Sequence, residues 1–214
     1  SRSWPAVFTS ARGSTLYSGQ DAYVDFFAAA GSLNYGHNDP DARSALIDYL
    51  SRDGIIQTLD MQTEARLSFL RALEKYVLRP RGLDGYRVMF TGPTGTNAVE
   101  AALKCARLAT GRTEVLAFQG GFHGVTLGAL AATSNASKRR GGGVPLANVA
   151  RFPFDNPEVP VDESVEWFER IHFANRSEAE LPAGVLVELV QGEGGVNVAR
   201  PNWVSGIATT CTRY

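Results

Sequence analysis

The chain has 214 residues, 44% hydrophobic and 20% charged, with a formal net charge of -1. That length suffices for a real core, since a domain of roughly 150 residues hides about 70% of its unfolded surface. A balanced charge leaves no electrostatic footprint for nucleic acid or an anionic membrane, and no apolar run is long enough to span a bilayer.

In chain order, residues 1–12 read as an arm without strong periodicity. Thr15–Tyr17 and Ala22–Phe26 form a hairpin pattern around Gly19-Gln20-Asp21. Gly31 to Asn38 is too rich in glycine and asparagine for a regular element. Asp39-Pro40 then opens a helix as N-cap and first position, with Ala42, Ala45, Leu46, Tyr49 and Leu50 on one apolar face. A second helix is predicted from Glu64 to Leu78, with Leu67, Leu70, Leu73 and Val77 inward, stopped by Pro80.

Tyr86–Phe90 alternates as a strand and runs into Gly92-Pro93-Thr94-Gly95-Thr96-Asn97, after which Ala98, Val99, Ala101, Ala102, Leu103 and Ala106 recur at helical spacing. A strand turning through glycine and threonine into a helix leaves free N–H groups at the positive end of the macrodipole, a ready cradle for phosphate. Neither the GxxxxGK[ST] nor the GxGxxG spacing is present, so the cradle is not one for a nucleotide or dinucleotide. Gly111 closes the helix, and Glu114–Phe118 is the next strand.

That strand enters a second glycine-rich turn, Gly120-Gly121-Phe122-His123-Gly124, followed by a helix of small residues. Residues 134–148, with Lys138-Arg139-Arg140, read as an exposed loop whose charges form a solvated face. Val149–Phe154 is a strand. Val165, Phe168 and Ile171 mark the inner face of a helix whose outer face carries Glu163, Glu166 and Glu169. Val185–Val190 is a continuous apolar strand apart from Glu188, as in a sheet covered on both faces, and Pro201–Tyr214 is a terminal helix. The alternation specifies an α/β fold with a mostly parallel, doubly wound sheet. Cys105 and Cys211 read as reduced core residues of a cytoplasmic protein, and His37, His123 and His172 are too scattered for a metal site.

Three strand ends carry chemistry: Gly95-Thr96, Phe122-His123, and Glu188 with Gln191-Gly192-Glu193-Gly194-Gly195. In open α/β sheets ligands bind outside the carboxyl ends of the strands. A phosphate cradle, an aromatic ring and carboxylates suit a flat phosphorylated heteroaromatic cofactor, for which pyridoxal phosphate is the natural candidate.

These stretches, with Asn34-Tyr35-Gly36-His37, resemble the class III pyridoxal-phosphate aminotransferases over essentially the whole chain. Asp25-Phe26-Phe27-Ala28, Leu33–Asn38 and Gly92–Asn97 are most similar to the diaminobutyrate branch of that family, of the ectoine-pathway type. The resemblance implies a fold-type I large domain, incomplete at 53–214, after a small N-terminal segment at 1–52. It implies that Gly95 and Thr96 hold the cofactor phosphate through N–H and hydroxyl groups. Phe122 would stack on the pyridine ring, His123 would lie beside substrate or ring edge, and Glu188 and Gln191 would flank the cofactor hydroxyl. Glu193 would be the gate that pairs with a distant arginine until the keto acid arrives.

The implied reaction moves an amino group from L-2,4-diaminobutyrate to 2-oxoglutarate, giving aspartate 4-semialdehyde and glutamate. Its partners would be amino acid and 2-oxo acid substrates and a second copy in a homodimer. An ornithine- or γ-aminobutyrate-type activity is the alternative within the family. A short non-catalytic relative that binds phosphate or a partner is the alternative outside it. Aminotransfer needs a Schiff-base lysine and an acid on the pyridine nitrogen. The chain's lysines are Lys75, Lys104 and Lys138, and none fits the family's position. The expectation is a chain without its catalytic residues, inactive alone.

Overall fold

The computed structural model describes residues 6–174 and 176–214, so the first part of the expected N-terminal arm lies outside the described residues. The chain packs as two units, Ser1–Val88 and Met89–Tyr214.

In the first unit, the end of the expected arm is itself a strand. β1 (Ser10–Arg12), β2 (Thr15–Ser18) and β3 (Asp21–Val24) form an antiparallel meander, with Ser18 opposite Asp21 across the two-residue Gly19-Gln20 turn. Asp25 closes it. Its Oδ1 accepts from the N–H groups of Phe27 (2.9 Å) and Ala28 (3.0 Å), and its Oδ2 meets His37 Nε2 at 2.7 Å. The His37 hydrogen bond, with those N–H groups, holds the Asp25 carboxyl below its usual range. A four-residue turn, α1 (Ala28–Gly31), has left-handed backbone at Ala29 and Ala30. The Asn34–His37 motif then docks back on the meander: Gly13 and His37 exchange backbone hydrogen bonds of 2.8 and 2.9 Å. Gly36 is required there, because it has φ +82° and a Cβ would sit 3.0 Å from the Gly13 backbone.

α2 (Pro40–Ser51) starts as expected, with Asp39 Oδ1 accepting from Ala42 N at 3.0 Å. α3 (Glu64–Leu73) is capped by Thr63 and continues to Leu78 as a wider π-helical turn. Their apolar faces are not buried: Leu46 and Leu50 on α2, and Leu67 and Val77 on the second helix, are all exposed.

The second unit holds the sheet. β4 (Val115–Phe118) is flanked in parallel by β5 (Val149–Phe152) and β6 (Gly184–Leu186), in the order β5-β4-β6. β4 is buried along its length, because helices cover both faces. On one face Leu116 and Phe118 meet Phe152, Phe168 and Trp203 from β5, α7 (Val161–His172) and α8 (Pro201–Arg213). On the other, Val115 meets Leu103 of α4 (Gly95–Thr110). Asp155, just past β5, clamps the start of α8: its carboxylate accepts from Arg200 N (2.7 Å), Nε (3.0 Å) and NH2 (2.6 Å). Burial alone raises that carboxyl, but the Arg200 bonds outweigh it and the net shift is downward.

Several expectations are corrected. Tyr86–Phe90 is not a strand: a strand exists only through a paired neighbour, and this segment pairs with none among the described residues. The long strand expected at Val185–Val190 is shortened to Gly184–Leu186, and Val190–Gln191 instead forms β7, antiparallel to β8 (Asn197–Val198). The helix of small residues is α5 (Leu127–Ala132), and the loop at 134–148 contains a short helix, α6 (Ala136–Arg140). Both cysteines are exposed free thiols and not core residues. The inward face of α7 is set by Ser164, Phe168 and His172, leaving Ile171 exposed, because the large aromatics of β5 and α8 pull that side toward the sheet.

His172 is therefore a buried imidazole, edge-on to Phe152 (5.7 Å) and tilted against Phe168 (5.5 Å), with neither ring nitrogen hydrogen-bonded among the described residues. Burial, reinforced by the nearby Arg176 and opposed by Glu114, pushes its pKa below 6.5. The unfolded chain thus takes up a proton near pH 6.5 that the folded chain refuses. The stability this residue contributes is complete above that pH and is lost as pH falls toward the folded value. His172→Phe is expected to flatten the decline in urea-unfolding free energy between pH 7.5 and 5.5. An unchanged decline would show that His172 charges freely in the folded state.

Candidate functional site

The site is built where α4 begins and β4 ends, within the second unit. Thr94 is the N-cap, its Oγ1 accepting from Asn97 N at 3.3 Å. Among the described residues the N–H groups of Gly95 and Thr96 have no intrahelical acceptor, as at any helix start. A Cβ on Gly95 would meet nothing within 4 Å, so the space over this turn is open. An anion here would sit on two N–H donors and the positive helix end.

Thr96 also faces inward. Thr126 Oγ1 lies 2.6 Å from Thr96 Oγ1 and donates to Glu100 Oε1, also at 2.6 Å. Thr126 has one hydroxyl hydrogen, and the ionised carboxylate takes it. Thr96 must therefore be the donor to Thr126, which leaves its backbone N–H as the donor at the helix end. Ala129 N gives Glu100 Oε1 a further bond of 2.9 Å. Burial of Glu100 works to raise its pKa, but Thr126 and the backbone N–H groups of Ala129 and Gly128 hold it below the ordinary carboxylate value. This relay was missed in the sequence, although Thr96 and Glu100 are spaced i, i+4 on one helix face.

β4 delivers the second stretch. After Phe118 the chain turns through Gly120, and Phe122 N donates to Glu188 Oε1 at 2.6 Å. His123 N donates to Thr133 Oγ1 at 2.9 Å, and that hydroxyl donates to Gly124 O at 2.8 Å. Gly124 has φ +122° and lies directly on Thr96, so the turn and the cradle are one packed unit. The His123 ring is buried, with Nε2 unpartnered among the described residues. Burial pushes its pKa down, Arg151 adds to the depression and Glu188 opposes it, so the net shift favours the neutral imidazole.

The third stretch locks onto the second. Glu188 Oε2 accepts from Gly192 N at 3.3 Å. Gln191 is 1% exposed, donates through Nε2 to Gln119 O (2.7 Å) and accepts from Asn197 Nδ2 (3.1 Å). Gly120 leaves the room for it, since a Cβ there would stand 2.5 Å from Gln191 Oε1. Gly95, Thr96, Phe122, His123, Glu188 and Gln191 are thus joined by contacts from one strand end to the next. Glu193 is more exposed, 3.9 Å from Lys138 Nζ. That lysine is a correction to the solvated basic face, because its ammonium sits 4.9 Å over the Phe122 ring. Arg139, its neighbour, is likewise engaged, donating to the carbonyls of Thr133 and Ser134.

The open start of α4, the half-exposed Phe122 on the turn that packs against it through Gly124, and the Glu188 carboxylate that holds that turn form one connected stretch of the second unit. Residues 1–214 match the family model for aminotransferase class III, and the chain belongs to that family.

Among its relatives, a diaminobutyrate–2-oxoglutarate transaminase of Streptomyces avermitilis is 53% identical over 213 residues, covering 99% of this chain and 50% of the relative. The transaminase of the same name from Halalkalibacterium halodurans is 47% identical over 215 residues, covering 100% of this chain and 50% of the relative. The chain spans about half the length of the curated relatives it matches. In structure it is similar to a taurine:2-oxoglutarate aminotransferase of Bifidobacterium kashiwanohense solved with PLP and glutamate. The TM-score is 0.82 at 21% identity, over 97% of this chain and 48% of that one, a likeness of fold. Among the described residues no helix is long and apolar enough to cross a membrane.

Proposed function

We propose that this chain is the phosphate- and ring-binding part of a pyridoxal-phosphate-dependent aminotransferase that exchanges an amino group between L-2,4-diaminobutyrate and 2-oxoglutarate. The observation that carries this reading is the interlock of Gly95-Thr96, Phe122-His123 and Glu188-Gln191 at one end of the sheet. The roughly half-identical relatives of that name support the substrates. Pyridoxal phosphate, when bound, supplies the aldehyde that carries the amino group and the ring that accepts the electron pair.

In this reading the N–H groups of Gly95 and Thr96 hold the phosphate, and the Thr96–Thr126–Glu100 relay fixes the helix end that presents them. Phe122 packs on the ring, held by Glu188 through its N–H. Gln191 keeps the loop bearing Glu193 against the end of β4, and Glu193 stands at the substrate side. The large domain, drawn from the sequence as 53–214, a homodimer and a cytoplasmic setting in the ectoine type of pathway complete the proposal. The Schiff-base lysine and the acid on the pyridine nitrogen are not among Lys75, Lys104, Lys138 and the residues above, so these 214 residues alone are proposed to be inactive.

The test is a donor panel with 2-oxoglutarate on the protein purified from its host and loaded with pyridoxal 5'-phosphate. Diaminobutyrate is expected to exceed ornithine and γ-aminobutyrate in kcat/KM by at least about tenfold, or ~1.4 kcal/mol of discrimination. Equal or better turnover of either competitor would move the assignment to that branch of the family. The 214-residue chain alone, assayed alongside, is expected to give no turnover.

A further inference from the structure

Phe122 and His123 reach the candidate site on a turn that their own side chains do not fix. Gly120, Gly121 and Gly124 surround them, with Gly120 at φ +80° and Gly124 at φ +122°, and glycine backbone is free to take many conformations. A phenyl ring has no hydrogen-bonding group, and His123 Nε2 is buried without a partner among the described residues. The turn is held by its backbone instead. Glu188 holds Phe122 N from one side. On the other side Gly121 O, His123 N and Gly124 O all bond to the two residues that follow α5.

Thr133 makes two of those three bonds with one hydroxyl, accepting from His123 N at 2.9 Å and donating to Gly124 O at 2.8 Å. Ser134 N makes the third, donating to Gly121 O at 2.7 Å. Thr133 is in turn held from behind. It is fully buried, its N–H donates to Ala129 O at 2.9 Å, and its carbonyl accepts from Arg139 NH1 (2.9 Å) and Arg151 NH2 (3.2 Å). The same two guanidinium groups also donate to Ser134 O and Ala131 O. Arg139 comes from α6 and Arg151 from β5, so two separate elements fix the residue that fixes the turn.

We propose that Thr133 is a positioning residue for the reaction, its hydroxyl setting where the Phe122 ring and the His123 imidazole stand against the cofactor. This rests on the transamination reading. Thr133 has no exposed surface and its N–H, carbonyl and hydroxyl are all engaged within the protein, so it acts only through the turn. Valine has nearly the same shape without the hydroxyl. It would leave a buried N–H and a buried carbonyl unpaired, and the flanking glycines let the turn shift to relieve them.

The test uses the protein purified from its host and loaded with pyridoxal 5'-phosphate, with Thr133→Val, Thr133→Ser and, as a stability control, Ser164→Ala. The control removes another buried hydroxyl, the one that Trp203 Nε1 bonds at 3.2 Å between α7 and α8. In Thr133→Val, kcat is expected to fall about tenfold with both substrate KM values within about twofold, since small misplacements act on the chemical step. The circular dichroism of the bound cofactor is expected to change with it. Without cofactor, the Phe122 N–H keeps its Glu188 partner, yet is expected to exchange with solvent at least about tenfold faster. Thr133→Ser is expected to restore all three readouts, and Ser164→Ala to move none of them. Thr133→Cys, with a weaker donor and acceptor in the same place, carries the test if the valine variant does not fold, and its kcat is expected to fall at least about threefold. Unchanged kcat and exchange, a loss that serine does not restore, or an equal loss in Ser164→Ala overturns the proposal. If the unsubstituted protein binds no cofactor, the transamination reading falls and the role toward the ring falls with it. Faster Phe122 exchange in Thr133→Val would then still assign the shape of the turn to Thr133.

Discussion

Trp203→Ala is expected to lower the unfolding free energy of the protein by about 3–5 kcal/mol, as removal of a buried indole from a close-packed core does. Trp203 is 1% exposed, its ring centroid 5.1 Å from that of Phe118 and 5.4 Å from that of Phe154. Its Nε1 donates to Ser164 Oγ at 3.2 Å, joining α8 to α7. Alanine leaves a cavity among rings that are themselves packed on one another, with Phe118 and Phe168 stacked at 6.0 Å, so collapse around the hole is limited. Urea unfolding followed by far-UV circular dichroism measures the loss. Trp203→Phe keeps most of the volume but orphans the buried Ser164 hydroxyl, and is expected to lose about 1–3 kcal/mol. A loss below about 1 kcal/mol for the alanine variant would mean that α8 is not a structural partner of the sheet.

The same contacts explain what could be read in the sequence. β4 and α4 were legible because their signals are local: Val115–Phe118 is an unbroken apolar run, and Thr94 and Gly111 bound a helical period. The three site stretches were legible because each places glycine where the backbone turns, at Gly95, Gly120–Gly124 and Gly192–Gly195. What failed depended on partners distant in sequence. Tyr86–Phe90 has the alternation of a strand, but alternation supplies no neighbour to pair with. Ile171 and His172 are adjacent on α7, and only the position of Phe152 decides that the polar one is buried. Lys138 looked like one of three solvated charges, and the chain gives no sign that α6 would carry its ammonium over a ring sixteen residues earlier. Glu100 was visible as a helix residue, but its role appears only when Thr126 arrives from the following segment.

Gly124→Ala is expected to break the joint between the Phe122-His123 turn and the cradle. Two penalties act at once. At φ +122° a side chain is strained wherever it points, a cost of about 1–3 kcal/mol. The new Cβ would also be driven into Thr96 Oγ1 and would stand 2.6 Å from Thr96 Cβ and 3.1 Å from its Cα, so backbone has to move. Because Thr96 bonds Thr126, and Thr126 bonds Glu100, the displacement travels into the first turn of α4. The affinity for pyridoxal 5'-phosphate, read by absorbance titration, is expected to fall at least about tenfold, with some loss of thermal stability. Gly95→Ala separates ligand contact from clash. Its Cβ would meet no protein atom within 4 Å, and alanine in a helix stabilises by up to about 1 kcal/mol. Loss of cofactor affinity in Gly95→Ala with stability retained would mean that the phosphate lies against that backbone. Retained affinity in both variants would place the phosphate away from the cradle. Lost affinity only in Gly124→Ala would make the turn a support for a ligand held elsewhere.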